Sequence, residues 1–156
     1  MMQKITVEKA EELLRHLDVI GQQELPDIWY AIMKNAKLSR REIKAFGDIH
    51  LDPLKERQET LIKEHVEEYN AKENKPLTYK SEDDEAAYKK ATAEINTEFS
   101  EAMKQEIEID FHLIPYSKIM NEDKTMKENY KKLTPRLLEP LDEIIFTESK
   151  EVLSKV

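Results

Sequence analysis

The sequence predicts an α+β fold that is predominantly α: a long antiparallel helical hairpin, several short helices and a small two-stranded sheet. Three observations predict it. Only two of the 156 residues are glycine, Gly21 and Gly47, which leaves little turn chemistry for an extensive β structure. Apolar residues recur at three-to-four spacing through most of the chain, the period of a helix with one buried face. One segment, 106–113, switches to strict polar–apolar alternation, the period of a half-buried strand.

The elements follow in order. Lys4-Ile5-Thr6-Val7 is β-branched and suits a short edge strand. From Thr6 or Val7 a helix carries Ala10, Leu13, Leu14, Leu17 and Ile20 on one face, and Gly21 stands at its C-cap. Leu25-Pro26-Asp27 opens a second helix whose stripe is Ile28, Ile32, Ala36, Ile43 and Phe46. Ser39-Arg40-Arg41-Glu42 spells a capping box, so a break near Leu38 and an unbroken helix are both open. Asp52-Pro53 suits an N-cap and N1 for a helix over 53–71, with Leu54, Leu61, Ile62, His65, Val66 and Tyr69 on its face. If the chain stays helical through 47–53, a long helix kinked by Pro53 results.

Residues 71–79 are polar, contain Pro76 and read as a loop. Ser81 followed by Glu82, Asp83, Asp84 and Glu85 places acids at the positive end of a helix running to about 105, with Tyr88, Ala91, Ile95, Phe99, Ala102 and Met103 on one face. Two long amphipathic helices around a short connection make the hairpin. In the strand 106–113, Ile107, Ile109, Phe111 and Leu113 face the core, and Glu106, Glu108, Asp110 and His112 face outward. Its backbone needs a mate, for which residues 3–7 are the best candidate. A short helix from Thr125 with Met126, Tyr130 and Leu133 follows. A last one opens at Thr134-Pro135 with Leu137, Leu138, Leu141, Ile144 and Ile145, bent or split at Pro140. One domain over 1–147 and a loosely held tail at 148–156 complete the reading.

Leu, Ile, Val and Phe number 15, 14, 5 and 4, together 24% of the chain, above the ~20% below which highly charged chains stay disordered. With 37% charged residues the core is lean. No cysteine is present, which excludes disulfide scaffolds, Cys-ligated zinc, iron–sulfur clusters and thiol catalysis. No apolar run approaches the ~18 residues that span a bilayer, and the N-terminal residues show no signal-peptide core, so a cytoplasmic protein with no membrane partner is expected. The net charge is −8, and residues 81–110 hold ten acids against three bases. Binding nucleic acid requires a basic stripe, so no nucleic-acid partner is expected. Clustered glycines that cradle phosphates are also missing, and no cofactor is expected.

Candidate chemistry is sparse. Asp48, His50 and Asp52 alternate as three ligands would on a strand, but Gly47 and Pro53 bracket them, and a polar connection is the simpler reading. Glu64, His65 and Glu68 lack the Glu-x-x-His spacing of a di-metal bundle because position 62 is Ile62; His65 reads as half-buried at a helix seam. No Gly-x-Ser-x-Gly elbow exists, and carboxylates on a strand's polar face are not positioned as general acids. An enzyme is therefore not expected. Trp29-Tyr30 suits either a partner anchor or, as the commoner arrangement, one ring in the core with the other at its edge.

Leu51-Asp52-Pro53-Leu54, the run Glu56 to Lys63, the acidic Tyr-bearing helix, the stretch Glu106 to Ile119, and Leu133-Thr134-Pro135-Arg136-Leu137-Leu138 with Leu141-Asp142 occur in a distinctive order. Over 28–146 this order resembles a loose group of small, acidic, uncharacterised bacteriophage and prophage proteins. That group often carries a Gly-bearing turn in its hairpin, where residues 71–80 have no glycine. The resemblance implies no catalytic residues. It implies a viral protein in an infected bacterial cytoplasm or in a virion, acting as a structural component or assembly factor through phage or host protein partners or its own oligomer. The alternative is an acidic inhibitor of a host nucleic-acid-binding or defence protein. In either case Glu82, Asp83, Asp84, Glu85, Glu106, Glu108 and Asp110 are the candidate partner-binding residues.

Overall fold

The computed structural model describes residues 2–148 and is an α+β fold, mostly α. Where the sequence leads to one domain over 1–147, the contacts gather into two compact units. One comprises residues 2–44 with 106–148, the other residues 45–105. Apart from Glu148, the expected tail lies outside the described residues.

The first unit starts with strand β1 (Met2–Thr6), which pairs antiparallel with β4 (Glu106–Asp110), so the predicted mate is the observed one. Ile5 stands opposite Ile107, and Gln3 opposite Ile109. Helix α1 (Val7–Ile20) follows at once, because the Thr6 hydroxyl accepts from the Lys9 N–H as an N-cap. It buries Val7, Ala10, Leu13, Leu17 and Ile20. Gly21 is the C-cap as expected, but in the right-handed region at φ −63° rather than the left-handed one. Space is what it provides. A Cβ here would lie 2.9 Å from the Met33 sulfur and 3.1 Å from the Leu17 carbonyl oxygen.

Residues 26–28 form a turn, and α2 (Trp29–Phe46) begins after it. The helix runs unbroken through Ser39, which is a buried mid-helix residue and no cap. Ile28, Ile32 and Ala36 sit in the core beside Ile109, Phe111 and Ile114. Asn35, also fully buried, clamps the chain after β4: its Nδ2 donates to the His112 carbonyl (2.9 Å), and its Oδ1 accepts from the His112 N–H (2.7 Å). Those groups are thereby taken out of any ladder, and the alternation stops short of its predicted end. Phe111 is still buried, but Leu113, expected in the core, is 39% exposed, and Ile114 is buried in its place.

Beyond it, β5 (Ile114–Pro115) pairs parallel with β6 (Phe146–Thr147). The helix expected from Thr125 is only a 3₁₀ turn at Glu128–Tyr130, because Thr125 folds back locally, its N–H and hydroxyl both bonding the Asp123 carboxylate. Tyr130 and Leu133 are nonetheless buried. Thr134 caps α5 (Pro135–Leu138) by accepting from the Leu137 N–H. The helix then tightens to a 3₁₀ turn, Glu139–Leu141, at Pro140, which has no N–H to donate. The expected helix through Ile145 thus ends at Leu141, and Ile144 and Ile145 lie in the turn that follows.

The second unit opens on a widened, π-type turn, Gly47–Leu51, in which the Asp52 N–H reaches the Gly47 carbonyl. A regular α-turn would set the Pro53 ring against the carbonyl four residues back, and widening relieves that clash. The backbone therefore stays helical from α2 into α3 (Asp52–His65), and the polar connection expected at 48–52 is helix.

Two further expectations are corrected here. Residues 66–71 do not extend α3, and 71–79 are not a loop: β2 (Val66–Asn70) and β3 (Lys75–Tyr79) form an antiparallel hairpin. The Asn70 side chain accepts from the Lys72 and Glu73 N–H groups, and Asn74 takes the positive φ (53°) that a glycine would otherwise supply. Helix α4 (Glu82–Met103) then packs on α3, capped by Ser81. His65 meets Asp84, Gln58 meets Tyr88 and Thr92, and Arg57 meets Glu98, so partners rise along one helix as they fall along the other. The helices are antiparallel. Tyr88, Ile95 and Ala102 are buried along the seam, and Glu98 turned towards Arg57 leaves Phe99, expected on the apolar face, exposed.

Candidate interaction surfaces

In the first unit, Ile28, Ile32 and Ala36 fix which face of α2 is buried, and the same spacing turns Trp29, Tyr30 and Met33 outward. Trp29 is 47% and Tyr30 69% exposed, so neither ring fills the core, contrary to the commoner arrangement. The indole is held at the surface by Nε1 donating to the Gly21 carbonyl (3.3 Å), and the Met33 sulfur lies against the same glycine. Val19, two residues earlier on α1, is exposed as well. Trp29, Tyr30 and Met33 therefore form an exposed apolar patch at the start of α2, beside Gly21.

A second feature of this unit is a groove of about 890 Å³ between the 116–126 segment and the α5 region. Its walls are Met120, Met126, Leu133 and Leu138, with Tyr116 and Asp142 at the rim. The Tyr116 hydroxyl donates to Asp142 Oδ1, and its ring stacks on Phe146, centroids 5.9 Å apart. Burial first, then this hydrogen bond, push the Tyr116 phenol far above its ordinary pKa, so it stays a donor. The sequence marks Met126, Leu133 and Leu138 only as apolar positions of short helices, and nothing in it brings them together as a groove.

The predicted acidic residues fall in both units. Glu82, Asp83, Asp84 and Glu85 belong to the second unit, and Glu106, Glu108 and Asp110 to the first. Glu82 and Asp83 are exposed, but Asp84 is engaged: it accepts from the Ser81 hydroxyl (2.6 Å) and meets His65 Nδ1 at 2.8 Å. Those bonds, Ser81 first and His65 second, hold its carboxyl below the usual range. Glu85 pairs with Lys89 at 2.9 Å. Glu106, Glu108 and Asp110 lie on the exposed face of β4, where Glu108 stands opposite Lys4. His65 is half-buried at the α3–α4 seam, as expected.

Asp48, His50 and Asp52 lie on helical backbone, which does not align residues two apart, and the His50 ring packs on Phe46 (4.5 Å). Among the described residues no group of three or more His, Asp or Glu side chains is placed to hold a metal ion, and no helix is long and apolar enough to cross a membrane. Comparison with protein-family models, with curated proteins and with solved structures found no match.

Proposed function

We propose that this protein is a non-enzymatic interaction protein that docks on other proteins through the Trp29–Tyr30–Met33 patch. The carrying observation is the exposure of both neighbouring rings, 47% and 69%, on a helix that buries Ile32, Asn35, Ala36 and Ser39 on its other side. Trp and Tyr dominate binding energy at interfaces because they bury large areas at little entropic cost. Methionine adds a side chain that adapts to the partner's shape. The resemblance to phage proteins supports a virion component or assembly factor in an infected bacterium as the setting.

The test is affinity capture from infected-cell lysate with the wild type and with a Trp29→Ser/Tyr30→Ser double variant, alongside light scattering of each. The double variant should lose its protein partner, or its self-association, by roughly tenfold or more. Its melting temperature should stay within a few degrees, since exposed substitutions cost little. Equal capture and equal mass for both proteins would overturn the reading. Exposed Glu82, Asp83, Glu106 and Glu108 favour the acidic-inhibitor alternative. Salt-sensitive capture of a nucleic-acid-binding protein, unaffected by the double substitution, would select it.

A further inference from the structure

The groove beneath Tyr116 and Asp142 is separate from the aromatic patch, and four of its properties point to one kind of occupant. The first is size: about 890 Å³ lies within the ~300–1,000 Å³ typical of small-molecule sites. The second is rigidity. One wall is tied by backbone bonds from Lys127 N–H to the Ile119 carbonyl and from Asn121 N–H to the Thr125 carbonyl, both 2.8 Å, and Tyr116 is fixed by its stack on Phe146. A wall ordered beforehand spares the ligand that entropic cost.

The third property is the chemistry of the interior. Met120, Met126, Leu133 and Leu138 offer polarisable and aliphatic surface suited to an apolar body. The fourth is charge. The rim carries carboxylates at Glu122, Glu139, Asp142 and Glu148 against cations at Lys124 and Arg136, an excess of two negative charges. Asp142 is the rim carboxylate oriented by a hydrogen bond from Tyr116, which occupies Oδ1 and leaves Oδ2 to accept from a ligand.

We infer that this groove binds a small organic ammonium ion with an apolar body, its N–H groups on Asp142 and its hydrocarbon among Met120, Met126, Leu133 and Leu138. A carboxylate ligand meets repulsion at this rim. A neutral apolar one strips water from Asp142 and returns no partner to it, which is costly. An ammonium group does neither.

The probes are phenylbutylamine, phenylbutanol and phenylbutyrate, which share an apolar body and differ in head-group charge. Each is titrated into the full chain carrying labelled methionine methyl groups. The amine should shift the Met120 and Met126 signals saturably and leave Met33, on the other surface, unmoved. The carboxylate should bind roughly tenfold more weakly or worse. The Asp142→Asn variant should lose the preference for the amine while keeping the Met33 signal in place. Should that variant misfold, raising the salt concentration on the wild type must weaken the amine and leave the alcohol unchanged. Equal affinity for all three probes would overturn the inference, as would the absence of saturable shifts at Met120 and Met126.

Discussion

Asn35 holds both backbone groups of His112 with one side chain, and no other residue type presents a donor and an acceptor in that flat geometry except Gln, which is a carbon longer. Truncation to Ala leaves two backbone groups without that partner, at about 1–3 kcal/mol for an unsatisfied buried group. Against a total stability of ~5–15 kcal/mol that is a large loss. Asn35→Asp keeps the size but sets a buried carboxylate against the His112 carbonyl, so urea denaturation should show it at least as destabilised as Asn35→Ala. A wild-type midpoint for Asn35→Asp would mean the amide donor is not needed. The sequence shows Asn35 only as a polar residue between core positions, because its partner is 77 residues away. The Trp29-Tyr30 pair was legible as an anchor or as one core ring with the other at its edge. Only the phase of Ile28, Ile32 and Ala36 decides between the two, and it sends both rings outward.

At the level of elements, periodicity located what is long and amphipathic, and failed where one pattern satisfies two periods. Ile62, Val66 and Tyr69 keep helical spacing, yet the chain leaves the helix at His65. Val66, Tyr69, Thr78 and Tyr79 are strand formers, and the turn between them uses Asn74 where a glycine would have announced it. The alternation from Glu106 placed the faces correctly as far as Phe111 and failed at Leu113. A one-residue slip in β4 would carry Ile109 out of the core and turn carboxylates into it. Phe111→Asp puts a charge where the structure buries a ring, and should leave the first unit unfolded by circular dichroism at room temperature. Glu108→Ala removes only an exposed cross-strand neighbour of Lys4, at about 0.2–1 kcal/mol, and should melt almost as the wild type does. Comparable loss from both would contradict the assignment of faces.

Across the whole molecule the core is unevenly shared. The first unit holds residues with no exposed surface on α1, α2 and in the 119–146 region, whereas no buried hydrophobic residue described in the second unit is less than 6% exposed. Local stability follows burial, so amide hydrogens of α3 and α4 should exchange faster than those of α1 when followed by mass spectrometry. Equal protection would show that the thin seam is reinforced beyond what its contacts supply. The acidic block at 81–110 teaches a related lesson. Counted along the chain it is one cluster, but its residues are divided between the two units at Gln105 and Glu106, so two separate packing environments hold them.

The pairing of β1 with β4 also sets an order of events in time. Met2–Thr6 leaves the ribosome before its mate, Glu106–Asp110, which is made about a hundred residues later, some 5–20 seconds at ordinary rates of synthesis. The intervening residues 45–105 form a unit of their own from one unbroken stretch of chain, with partners close in sequence. Synthesis therefore completes the thinly packed unit before the well-packed one has its parts, and during that interval the apolar face of α1 depends on whatever shields a nascent chain.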